Sequence, residues 1–185
     1  GITWTARTIP SGGWEAIAMN VSNTRSYEEG AGPDLYRRSL YTFWKRMAPP
    51  ASMDIFNAPN REFCVVRRER TNTALQALVT LNDEQFVEAA RHLARKSLEG
   101  GTTFAERIDT LSARLLGRKF RAEELPIIEN SLNELLAFYQ ANPKEAEQLI
   151  QVGESTSDKT LDPPTLAAWT MLANELMNLD EVLNK

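Results

Sequence analysis

The chain is nearly without cysteine and histidine: Cys64 and His92 are the only ones in 185 residues. A single thiol excludes an intrachain disulfide and any CxxCH haem attachment within this chain. A single imidazole, with no second histidine or cysteine at ligand spacing, matches no zinc pattern. No apolar run approaches the roughly 20 residues that span a bilayer, and there is no P-loop, GxGxxG or GxSxG. The opening GITWTARTIPSGGW lacks both an initiator methionine and a basic-then-apolar signal. Gly1 therefore reads as an internal cut. A pI near 5.2 speaks against general nucleic-acid binding.

What is present is unevenly distributed. Between Asp34 and Arg70 lie eight basic and four acidic residues, inside a chain whose net charge is −4. The remainder carries 13 basic and 21 acidic residues. Nine of the 15 aromatic residues also fall within the first 64 positions. Such polarity raises a question about partners, not about fold.

Residues 1–33 show little periodicity and read as an irregular arm, pinned by Trp4 and Trp14 on a helical domain spanning 34–185. Tyr36, Leu40, Phe43, Trp44 and Met47 recur at helical spacing behind Asp34, while Leu40 to Trp44 is rich in β-formers. Helix and strand both remain open for 36–47. Pro49 and Pro50 end that element. Residues 49–70 then read as an extended crossing segment, with Phe56, Phe63, Val65 and Val66 as buried anchors.

From Thr71 onward the helix signals strengthen. Thr71, Asn72 or Thr73 can cap a helix carrying Leu75, Leu78 and Val79, with Gln76 ordering the junction by hydrogen bonds. Asn82 with Gln85 predicts the next cap, and Thr103 with Glu106 a capping box. Phe104, Ile108, Leu111 and Leu115 form an apolar stripe ending at Gly117. Further helices are expected over about 122–141, over 143–150, and from Asp162 onward with Leu166, Trp169, Leu172, Ala173, Leu176 and Leu179 inward. The intervening GESTSDKTLDPP is polar and turn-rich, as a mobile loop is. The fold class is all-α, a bundle of five or six helices with an irregular, aromatic-rich N-terminal third.

Three blocks carry a resemblance: LYRRSLYTFWKRMAPP, FNAPNREFCVVRRERTNTALQALVTLND, and GES…LDPPTLAAWTMLANELMNLDEVL. Together they resemble the planctomycete PSD-type domain of unknown function, whose usual forms read FDAP, RTNTPLQAL and GRPPT. This chain has FNAP, RTNTALQAL and GRKFR in their place. That domain normally has a further helical portion before its GGWEA-like block, so the chain resembles its later part. The resemblance implies a C-terminal position in a large exported protein, hence a periplasmic or extracellular location, beside cytochrome-c-like modules. It implies no reaction.

The candidate binding residues are Arg37, Arg38, Arg61, Arg67 and Arg68, with Tyr41 and Trp44. Guanidinium forks suit sulfate, phosphate or carboxylate, and flat aromatics suit sugar faces, a combination that fits an acidic polysaccharide. The competing role is pairing with the acidic helical body. Asp34, Asp54, Glu62 and Glu69 could supply a carboxylate pair for glycoside hydrolysis, but salt bridges to the neighbouring arginines explain them more simply. His92, Met47 or Met177 could ligate a neighbouring haem by analogy alone. Cys64, between Phe63 and Val65, reads as a buried small hydrophobe. These residues support a non-catalytic helical interaction module, without cofactor or metal, docking on upstream domains of its own polypeptide or on a partner protein. Binding or degradation of acidic polysaccharide, and docking to a cytochrome-c-like module, are the alternatives.

Overall fold

The computed structural model describes residues 32–37, 42, 49–59, 62–156 and 160–184. The chain divides into two compact units, 1–71 and 72–185. Among the described residues there are helices and irregular segments and no strand, as the all-α expectation requires. The arm over 1–31 and most of 36–47 lie outside the described residues.

In the first unit, a 3-10 helix spans Gly32–Tyr36 and a short helix, α1, spans Ala51–Ile55. The prolines precede that helix instead of leading straight into an extended segment. Pro50 stands at its N-cap with φ −56° and its carbonyl accepts from Met53 and Asp54, so the ring's fixed torsion opens a helical turn. Residues 62–70 are then non-helical and every one is exposed. The expected burial of Phe63, Val65 and Val66 is therefore corrected: they are 66%, 40% and 102% exposed. Only Phe56 of the four is half-buried. A run without helix or sheet partners gathers its apolar side chains on no common face, so nothing in its own geometry covers them.

The second unit holds α2 (Ala74–Asn82), α3 (Glu84–Gly100), α4 (Phe104–Leu115), α5 (Leu125–Ala141), α6 (Pro143–Ile150), α7 (Pro163–Met177) and α8 (Asp180–Leu183). α7 is the centre. Nine of its 15 residues are buried, and it packs chiefly on α3, α5 and α6. A helix so nearly apolar all round belongs inside a bundle. Ala90 and Ala94 of α3 and Ala167, Ala168 and Ala173 of α7 are fully buried in one cluster, which small side chains permit at close helix approach. Leu179, expected in the core, is 38% exposed because α7 stops at Met177 and the chain turns into α8.

Local chemistry sets the helix ends. Thr73 and Gln76 form a reciprocal capping box on α2, and Thr103 and Glu106 form another on α4. α3 starts one residue later than its sequence suggests. Asp83 accepts from the Gln85 amide at 2.9 Å, while Asn82 closes α2 and donates to the Leu78 carbonyl.

α2 departs furthest from its pattern. Its buried residues are polar, Gln76 and Thr80, whereas Leu75 and Leu78 are 61% and 58% exposed. Gln76 points inward because its side chain accepts from the Thr73 amide. Thr80 does so because its hydroxyl meets the Asn178 side chain beyond α7.

Candidate functional site

The first unit contains the arginines singled out in the sequence. Arg37 is paired: its Nη2 lies 2.7 Å from Asp34 Oδ1, one turn away. Arg38, Tyr41, Trp44 and Arg61 lie outside the described residues. Arg67 and Arg68 are brought together with Asp54, Asn57, Phe63 and Cys64 around an open groove of about 580 Å³. Arg68 Nη2 donates to the Phe56 carbonyl at 2.7 Å, which ties the extended run to the end of α1. Asn57 holds φ 54° at that turn, and its amide donates to Thr71 Oγ1 at 2.6 Å. Among the described residues, no ion pair involves Arg67, Arg68 or Arg70. Cys64 is exposed, which corrects its reading as a core residue, because the whole 62–70 run is on the surface.

A second cluster, in the other unit, was not legible as a site in the sequence. Glu88, Arg91 and His92 stand at i, i+3 and i+4 of α3 and share one face. That face meets the loop after α6. The amides of Glu154 and Ser155 donate to the Glu88 carboxylate at 3.3 and 3.0 Å. Arg91 donates to the Ile150 carbonyl, and its Nη2 reaches the Ser155 carbonyl at 2.7 Å and Ser155 Oγ at 2.6 Å. His92 Nε2 lies 2.8 Å from the same Oγ. Glu88 and Arg91 are 2% and 3% exposed. Buried charges of this kind persist only where donors and acceptors surround them, as the loop backbone does here.

Gly153 is part of this construction. Its φ is +94°, and a Cβ there would fall 2.5 Å from Glu88 Oε2. The loop therefore needs glycine for its torsion and for the close approach of the carboxylate. Residues 153–155, read as part of a mobile loop, are fastened to α3 instead, and 157–159 lie outside the described residues. Burial lowers the pKa of His92, and the neighbouring Arg91 and Arg95 lower it further, against the opposing effect of Glu88. The imidazole is accordingly neutral near pH 7.

The sequence carried one signal for this cluster. Glu88 and Arg91 interrupt the apolar face that Val87, Ala90 and Ala94 build on α3. Charged residues at core positions ask for partners, but those partners lie 59 to 67 positions away. Among the described residues, no group of three or more His, Cys, Asp or Glu could hold a metal ion, and no helix is long and apolar enough to cross a membrane.

Compared with known proteins, residues 9–132 match PSD1, described as a protein of unknown function (DUF1553). That span takes in the arginine groove and the Glu88, Arg91 and His92 face, and ends within α5. No curated protein and no solved structure matches the chain. With two thirds of its length matched, the chain belongs to the PSD1 family of proteins of unknown function.

Proposed function

We propose that this chain is a helical interaction module of an exported multidomain protein, docking through its 62–70 segment onto other domains of the same polypeptide or onto a partner protein. One observation carries the reading: nine consecutive residues are exposed, with Phe63, Val65 and Val66 set beside Arg67, Arg68 and Arg70. Aromatic and arginine side chains dominate the energetics of protein interfaces. Export rests on the family resemblance. The test is binding of the purified chain to its flanking segments by calorimetry, with Phe63→Ser and Arg67→Glu as variants. The expected result is binding that weakens at least tenfold in each variant at unchanged melting temperature. Equal binding by wild type and both variants sinks the reading.

A second reading, binding of an acidic polysaccharide, is favoured by the groove that Arg67 and Arg68 line. Guanidinium forks bind sulfate and carboxylate bidentately. Asp54 and Glu69 share that groove and oppose an anion. Arginine-dependent retention of sulfated or uronic glycans on an array, lost in Arg67→Ala and absent for neutral glycans, would select this reading over protein docking.

A further inference from the structure

Ser155 sits between an arginine and a neutral imidazole, and its hydroxyl has one hydrogen to give. Arg91 Nη2, at 2.6 Å, can only donate, so it occupies a lone pair of Oγ. His92 Nε2, at 2.8 Å, is the neighbour able to accept, in the tautomer protonated on Nδ1. The arrangement is held from both sides. Glu88 grips the amides of Glu154 and Ser155, and Arg91 grips the carbonyls of Ile150 and Ser155. Solvent still reaches the pair, since Ser155 is half-buried and the His92 side chain is 40% exposed. Arg91, Arg95 and Lys96 surround the imidazole with positive charge, which favours negative charge developing nearby.

We infer that Ser155 is a nucleophile served by His92 as general base, giving the second unit an acyl-transfer activity on carboxylic esters with good leaving groups. Oγ forms a bond to the ester carbonyl carbon while its proton passes to His92 Nε2 and the carbonyl electron pair moves onto oxygen. The carbonyl then re-forms, the bond to the leaving oxygen breaks, and that oxygen takes the proton from His92. Water, deprotonated by His92, releases the carboxylic acid and restores the Ser155 hydroxyl. Arg91 lowers the energy of negative charge on Oγ. Glu88 approaches His92 at Nε2, 3.9 Å away, and not at Nδ1. It is therefore a positioning residue for the loop and not the orienting acid of a triad.

The experiment treats the whole chain with a fluorophosphonate probe and with p-nitrophenyl acetate. The expected result is one covalent label per chain, mapped to Ser155 by peptide mass spectrometry, and absent in Ser155→Ala. His92→Gln, which keeps a polar side chain but no base, should label at least about 100-fold more slowly at an unchanged melting temperature. In the wild type, the labelling rate should fall on acidification as His92 takes up a proton, at a pH below that of a free imidazole. Failure of the wild type to label, equal labelling of Ser155→Ala, or a rate that does not fall on acidification while the chain stays folded overturns the proposal.

Discussion

Gly153 and Asn174 show how single residues carry opposite signs in this molecule. Any side chain at 153 must adopt φ +94° and meet Glu88 Oε2 at 2.5 Å. Gly153→Ala should therefore lower stability by about 1–2 kcal/mol from the torsion alone, with the displaced carboxylate adding to it. Thermal melting checks this, and an unchanged midpoint would show that the loop is not clamped. Asn174 is fully buried on α7, and neither its Oδ1 nor its Nδ2 has a hydrogen-bond partner. An unsatisfied buried amide costs about 1–3 kcal/mol. Asn174→Leu, which keeps the branching and removes the unpaired polar atoms, should raise the urea midpoint; a lowered midpoint would mean that the amide is satisfied in solution or that the larger methyl groups do not fit. Neither residue was legible beforehand. Gly153 opens a polar, turn-rich stretch, and Asn174 falls between the core positions Ala173 and Leu176.

At the scale of the element, capping chemistry was readable and facing was not. Both capping boxes rest on contacts three residues apart, so the strings Thr73 to Gln76 and Thr103 to Glu106 contain all that the geometry needs. Which side of α2 faces inward depends on α7 and its C-terminal turn, about 100 positions away. α2 carries Leu75 and Leu78, yet its buried residues are Gln76 and Thr80. This makes a sharp prediction about stability. Leu75→Ser and Leu78→Ser should each stay within about 0.5 kcal/mol of wild type, as surface substitutions do. Leu172→Ala, at 1% exposure in the core cluster, should cost about 2–5 kcal/mol. Chemical denaturation of the three variants side by side decides it.

Across the second unit, one arginine joins segments that the helices alone would leave apart. Arg118, after α4, donates to Glu124 just before α5 and to Glu181 in α8, at 2.7–3.2 Å. The guanidinium, together with the Arg121 amide, holds the Glu124 carboxyl down at about 2. It lowers Glu181 as well. A depressed carboxylate contributes stability above the ordinary carboxylate range near 4.5. That contribution fades as pH falls toward the folded pKa near 2. Arg118→Ala should thus raise hydrogen exchange over 180–184 and flatten the acid dependence of stability between pH 5 and 2, leaving the α3–α7 core protected. Unaltered exchange in α8 would count against the tie. For the molecule as a whole, the sequence by itself determined the all-α class, the family, the caps and the central apolar helix, because these depend on periodicity and on contacts within a turn or two. Only the tertiary structure decided that 62–70 is exposed, that α2 faces outward with its leucines, and that Glu88, Arg91 and His92 meet Ser155. Each of those depends on partners brought together, or on cover withheld, by packing between segments distant along the chain, and neither periodicity nor local spacing records that.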